Sequence, residues 1–265
     1  VDYAPVDARG FVKVDALADL LRPDTTLVSV MAVNNEIGSI QPIHDIAALL
    51  EDRPTVSFHV DAVQALAKVA TEVYLPERVD FATFSSHKFH GLRGVGFVYI
   101  KEGKKITPLL TGGGQEKEMR STTENVAGIA ATAKALRLAM ENQEAFASKT
   151  QQMKEVIRKE LANYPDVTVF SGEDHFAPHI LTFGIKGVRG EVVVHAFEEF
   201  DIYISTTSAC SSKAGKPAGT LIAMGVDKSI AQTAVRLSLD LENDMSQVEQ
   251  FLTKFKLIYE QTRKV

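Results

Sequence analysis

Cysteine is nearly absent: Cys210 is the only one in 265 residues. No intramolecular disulfide can form, which points to a reducing compartment and hence to the cytoplasm. Basic residues are in deficit, 29 Lys and Arg against 34 Asp and Glu, for a formal net charge of −5. Without a basic cluster there is no electrostatic footprint for direct nucleic-acid binding; the short KEGKK stretch at Lys101–Lys105 reads as a solvated turn. No run approaches the ~20 apolar residues of a membrane span, so no membrane association is expected. A leader pattern is missing as well. The chain opens Val1-Asp2-Tyr3 with neither Met nor a charged-then-apolar segment, and reads as processed or as a piece of something longer. What is present, 45% hydrophobic and 24% charged residues, is the profile of a globular protein with one large domain or two moderate ones.

Through the first 110 residues short apolar runs alternate with helical patterns. Thr26–Val33, Thr55–Val60, Val79–Phe84 and Val95–Ile100 are β-branched or aromatic, and Pro42–Leu50 has helical spacing behind a proline. This alternation predicts βαβ units and a mostly parallel sheet, whose ligand would lie beyond the C-terminal strand ends. Those ends deliver Asn34-Asn35-Glu36, Asp61-Ala62 and Ser85-Ser86-His87-Lys88. A helical stretch follows from about Glu124 to Asn163, interrupted at Gly128. Then comes a smaller α/β unit: strands at Val167–Phe170, Ile180–Ile185, Ile202–Ser205 and Ala234–Leu239, and a helix over Glu191–Phe200. A last helix is capped by Asp244, with Val248, Phe251, Phe255 and Ile258 as its packing stripe. Two α/β lobes joined by a long helix are expected.

Four clusters carry chemistry. Lys88 stands before a glycine-rich turn (Gly91, Gly94, Gly96), flanked by Ser85 and His87. It is either an exposed surface lysine or an amine suited to condense with a phosphorylated aldehyde, with Ser85 and His87 holding the phosphate. Asp61, in His59-Val60-Asp61-Ala62-Val63-Gln64, ends an apolar strand, where a cationic pyridinium nitrogen would settle its charge. The alternative is a surface or helix-capping Asp. His-x-Asp lacks the further ligands a metal would need, and the glycines form no dinucleotide fingerprint. Cys210 sits among Ser, Thr, Lys and Gly; it is a reactive thiol on an exposed loop or a small buried hydrophobe. Arg236, within Val-Arg-Leu-Ser-Leu, wants a carboxylate, from a ligand or from a structural salt bridge.

In this order the segments Val33–Ile43, His59–Val69, Ser85–Gly96, Gly112–Asn125, Ser208–Ser212 and Val235–Leu239 resemble class V pyridoxal-phosphate enzymes. The specific likeness is to cysteine desulfurases of the NifS/IscS kind, over almost the whole chain. The resemblance implies a fold of the pyridoxal-phosphate-dependent transferase type, α/β. Residues 1–130 would form a partial, mostly parallel cofactor-binding domain, and residues 131–265 a smaller α/β domain with the cysteine loop. It implies that Lys88 bonds covalently to pyridoxal 5'-phosphate, that Asp61 pairs with the pyridine nitrogen and that Gln64 binds the ring hydroxyl. Ser85 and His87 match phosphate-binding positions, and Thr123 matches one reached from the partner subunit of a homodimer. Asn35 and Arg236 match positions that take the substrate carboxylate, and Cys210 matches the nucleophile. L-Cysteine would become L-alanine, leaving a persulfide on Cys210. The spacing from Cys210 to Arg236 matches the type that hands sulfur to an acceptor protein, an Fe–S scaffold or a tRNA-thiolation enzyme.

There are departures. The family's N-terminal stretch, with its phosphate loop and the His that stacks on the ring, has no counterpart here, and His59 is not that residue. Thr122 stands where glycine is usual and Leu92 where proline is. The expected consequence is a truncated desulfurase, its sheet short of a strand and its covering helices, with exposed apolar surface. Two rival readings are a selenocysteine lyase or aminotransferase of the same class, and a catalytically incomplete fragment.

Overall fold

The computed structural model describes residues 1–207 and 219–262, so Cys210 lies outside the described residues. Along the chain the elements are α1 (Val14–Leu20), β1 (Leu27–Met31), α2 (Ile43–Leu49), β2 (Ser57–Asp61), α3 (Thr71–Tyr74), β3 (Phe81–Ser85) and β4 (Gly96–Ile100). They continue with α4 (Val126–Glu141), α5 (Gln143–Leu161), β5 (Val167–Val169), β6 (Ile180–Ile185), α6 (Gly190–Glu198) and β7 (Ser205–Thr206). The last are α7 (Gly219–Ala223), α8 (Lys228–Ala231), β8 (Ala234–Ser238) and α9 (Met245–Thr262). The chain divides into two compact units. Pro23–Ala32 and Ile43–Gln143 form the Lys88 unit; Val1–Arg22, Val33–Pro42 and Glu144–Val265 form the Arg236 unit. This division differs from the one expected at residue 130: residues 1–22 and 33–42 group with the C-terminal half.

In the Lys88 unit the strands lie in the order β1-β2-β3-β4, the first three parallel and β4 antiparallel to β3. The period of two decides the faces. Val28, Phe58, Val60, Ala82 and Phe84 are buried, while Ser29, His59, Asp61, Phe81, Thr83 and Ser85 alternate with them on the other face, exposed or half-buried. The outer strands expose apolar surface at Leu27, Val98 and Tyr99, as a sheet with one lightly covered face must. β4 approaches β3 so closely that a Cβ on Gly96 would fall 2.5 Å from the Phe84 carbonyl oxygen.

A buried ion cluster ties this sheet to its connections. Asp80, 2% exposed, accepts from the Phe58 N–H at 2.9 Å and from Arg78 Nη1 at 2.9 Å, and pairs with Lys104 at 3.1 Å. Arg78 also donates to the carbonyls of Leu50, Arg53 and Val56. The KEGKK stretch is therefore not wholly a solvated turn: Lys104 closes this cluster, and Lys101 Nζ donates to the Glu77 carbonyl at 2.7 Å.

The Arg236 unit holds an antiparallel sheet in the order β5-β6-β8-β7. Its core joins Met153, Ile157 and Leu161 of α5 and Phe183 of β6 to Phe197 of α6 and the α9 stripe Val248, Phe251, Phe255 and Ile258. The stripe is core packing. The long helix expected over Glu124–Asn163 is two helices, broken at Asn142, whose side chain donates to the Leu138 carbonyl. Gly128 does not interrupt α4. It is buried within it, and a Cβ there would meet Asn125 Nδ2 at 2.5 Å and Val95 at 2.9 Å. The strand expected at Ile202–Ser205 is the two residues of β7. Among the described residues no helix is long and apolar enough to cross a membrane.

Two charged groups make stability predictions. Burial alone would raise the Asp80 pKa, but the Phe58 N–H, Lys104 and Arg78 outweigh it and hold the carboxyl below its usual range. Its contribution is present above the unfolded value and is lost as pH falls through the lower folded one. Asp80→Ala should cost about 3–5 kcal/mol, because Arg78 is left without its buried counter-charge; urea unfolding at neutral pH measures it. Lys154, 2% exposed, donates to the Ala177 carbonyl at 2.8 Å, and burial, with Arg158 adding to it, lowers its pKa to about 8. Between that pH and the usual lysine value the unfolded chain binds the extra proton. Wild-type stability relative to Lys154→Met should therefore rise with pH from about 8 toward about 10.5, read as the urea midpoints of the two proteins across that window.

Candidate active site

The Lys88 unit presents its polar residues at the C-terminal ends of parallel strands, where a ligand of an α/β sheet is expected. β3 ends at half-buried Ser85, and a single 3-10 turn, Ser86–Phe89, carries His87 and Lys88. The turn is held at both sides. Ser86 and Phe89 are buried, the Ser86 N–H donates to the Val95 carbonyl, and Gly91 N–H donates back to the Ser86 carbonyl. Ser86 Oγ lies 2.9 Å from Thr132 Oγ1, whose own proton goes to the Gly128 carbonyl at 2.8 Å, so Ser86 is the donor of that pair. His90, left-handed at φ 65, closes the turn. Half-buried Lys88 and exposed His87 thus project from a rigid support.

One strand away, Asp61 ends β2 in register with Thr83 of β3. Its Oδ1 accepts from the Val63 N–H at 3.0 Å, which bends the chain toward half-buried Gln64. Two residues earlier on the same face, His59 joins Ser29 Oγ through Nδ1 at 2.7 Å and Thr83 Oγ1 through Nε2 at 3.1 Å. Burial pushes its pKa down and the Asp61 charge only partly offsets this, so the ring is neutral at neutral pH. Thr123 is exposed in the segment before α4. Amine, carboxylate and hydroxyl at neighbouring strand ends fit a phosphorylated aromatic aldehyde. Among the described residues no cluster of three or more His, Cys, Asp or Glu could hold a metal ion.

The Arg236 unit brings Arg236 and Asn35 together. Arg236 Nη1 donates to the Asn35 carbonyl at 2.8 Å and Nη2 to Ser205 Oγ at 3.3 Å, the latter across the β7–β8 ladder. Residues not singled out in the sequence complete this arrangement. Asn34, 8% exposed, caps the turn with its Oδ1, accepting from the N–H groups of Glu36 and Ile37 at 2.9 and 3.0 Å. Thr182 Oγ1 donates to the Glu36 carbonyl and Ser171 Oγ to that of Ile37. An Asn-Asn-Glu run signals a turn in sequence, but not its partners 134 to 201 positions away.

Residues 1–251 match the aminotransferase class-V family. A NifS/IcsS protein homolog from Lactobacillus delbrueckii subsp. bulgaricus is 50% identical over the whole chain, which spans 69% of that relative. The cysteine desulfurase IscS of Clostridium botulinum is 38% identical over the whole chain, which spans 67% of it. Among solved structures, a NifS-like protein matches with a TM-score of 0.89 and 37% identity, covering all of this chain and 68% of that one. The chain belongs to the class-V aminotransferase family, within its NifS/IscS cysteine desulfurase group.

Proposed function

We propose that the protein is a pyridoxal-phosphate-dependent cysteine desulfurase that converts L-cysteine to L-alanine and receives the sulfur on Cys210 as a persulfide. The observation that carries this reading is the amine of Lys88 displayed on an anchored turn one strand from the Asp61 carboxylate. When bound, the cofactor supplies an electron sink for the pair left behind as the substrate's Cα proton departs. Lys88 would hold it covalently and then move that proton. Asp61 would keep the ring nitrogen protonated, which the neutral His59 cannot do in its place. Gln64 would take the ring hydroxyl, and Ser85, His87 and, from a partner subunit, Thr123 the phosphate. Asn35 and Arg236 would orient the substrate through its carboxylate.

Sulfur transfer balances without an outside oxidant. The C–S bond of L-cysteine breaks, an S–S bond to Cys210 forms, and the substrate's Cβ takes up the proton that the two thiols no longer carry. The persulfide would pass to an acceptor protein, an Fe–S scaffold or a tRNA-thiolation enzyme. The enzyme would work as a homodimer in the cytoplasm, where the lone thiol stays reduced.

The visible spectrum of the purified chain with pyridoxal phosphate tests this, before and after L-cysteine. We expect a cofactor band that shifts on cysteine addition and is absent in Lys88→Ala, whose turnover should fall by at least about 10²–10⁴-fold. Cys210→Ala should keep the spectral response and lose persulfide formation. Undiminished turnover in Cys210→Ala would favour a selenocysteine lyase or aminotransferase, and no band at all would overturn the reading for this chain.

A further inference from the structure

Ser29, His59, Asp61 and Thr83 stand on one face of the three parallel strands of the Lys88 unit, Ser29 in register with His59 and Thr83 in register with Asp61. The His59 ring reaches sideways within its own row and diagonally into the next. Its Nδ1 lies 2.7 Å from Ser29 Oγ on β1, and its Nε2 lies 3.1 Å from Thr83 Oγ1 on β3. A hydroxyl can give or take a proton, so either tautomer of the neutral ring satisfies both contacts. The half-buried ring is thereby held from the strand on each side of its own.

The carboxylate two residues further along β2 is only partly used. Asp61 Oδ1 accepts from the Val63 N–H at 3.0 Å, and among the described residues Oδ2 has no hydrogen-bond partner. Side chains two positions apart on one strand face are about 7 Å apart, a span that an imidazole and a carboxylate can bridge together. Asp61 is also the charge that acts on this ring. A histidine so placed would ordinarily turn onto the carboxylate. Here no hydrogen bond joins the two, because both ring nitrogens face hydroxyls.

We infer that Ser29 and Thr83 are positioning residues for the cofactor site: by holding both nitrogens of His59 they keep its ring from turning onto Asp61 and leave Oδ2 for the cofactor. The inference rests on the desulfurase reading and deepens it. Neither hydroxyl needs to touch the cofactor. Their effect runs through His59, so it should vanish when the ring can no longer pair with a carboxylate. A merely structural loss would weaken the site whether or not the imidazole is present.

Two measurements on the purified chain test this. Pyridoxal phosphate binding is read from the cofactor band, and the His59 ring is read by NMR of isotope-labelled, cofactor-free protein, with His59→Phe identifying the signal. Ser29→Ala and Thr83→Val should weaken cofactor binding about three- to tenfold, the worth of one competing ion pair. In both, the His59 pKa, which burial holds down in the wild type, should rise to at least its ordinary value of about 6.5. His59→Phe should bind the cofactor within about twofold of wild type, and adding it to Ser29→Ala should restore the lost affinity. A His59 signal that titrates alike in wild type and Ser29→Ala would overturn the inference, as would a double variant no better than Ser29→Ala. If the wild type binds no pyridoxal phosphate, the desulfurase reading fails for this chain on its own account. The titration of the cofactor-free protein then decides whether the two hydroxyls restrain His59.

Discussion

Three successive carbonyls, those of Asn35, Glu36 and Ile37, are each gripped by a side chain from β8, β6 or the second residue after β5. A turn normally keeps such groups in water. Here the partners are an arginine and two hydroxyls, and two of the donors, Thr182 and Ser171, are almost wholly buried. An unmet buried carbonyl costs about 1–3 kcal/mol, so the turn and the sheet beneath it stand or fall together. This is why Asn34, capping the same turn from within, is buried although it lies in a loop. The Arg236 guanidinium is part of this support before it is part of any ligand site, through the Asn35 carbonyl and the Ser205 hydroxyl.

The Lys88 unit solves the same problem with different groups. Lys88 sits after a strand rather than in one, where backbone hydrogen bonds run out and a side chain would drift. Ser86, Thr132 and Gly128 form a relay of hydroxyl and carbonyl that ties the turn to α4. The missing side chain of Gly128 lets Val95 and Asn125 close in. Deeper in the unit, Arg78 gathers the carbonyls of Leu50, Arg53 and Val56 around the buried Asp80. Arg78 spreads its charge over three backbone oxygens, and in the other unit Arg236 holds the Asn35 carbonyl and the Ser205 hydroxyl. The sites are placed by polar frames over apolar sheets, and the frames make displacement costly.

Period and order were legible in the sequence. Alternation in Ser57–Asp61 and Phe81–Ser85 marks strands whose polar residues share one face, and the α9 stripe marks the core. The motif order was enough for the family. What was not legible is proximity between distant residues. Gly128 reads as a helix break because a sequence shows the missing Cβ but not Val95 and Asn125 pressing on it. Lys104 reads as solvated because Asp80, its partner, is 24 residues away, just before β3. Asn34 was passed over for its neighbour Asn35, since nothing local distinguishes an Asn that caps a buried turn from one that meets a ligand. β7 is short for a related reason: beside β8 only Ser205 and Thr206 pair, while the left-handed Asp201 before them turns the chain.

His59 shows how placement governs chemistry. It lies two residues from Asp61 on the same strand face, the spacing at which an imidazolium would neutralise the carboxylate. It does not, because both ring nitrogens are engaged by the hydroxyls of Ser29 and Thr83 and burial favours the neutral ring. A hydroxyl can serve as donor to one nitrogen and acceptor from the other, so the network is complete without an added proton. The Asp61 carboxylate is therefore not neutralised by the ring two residues before it, and its Oδ1 accepts from the Val63 N–H. In the proposed function the counter-charge would be the ring nitrogen of the cofactor. The Val63 N–H bond serves the turn at Asp61, and the proposed cofactor pairing would use the carboxylate's remaining capacity.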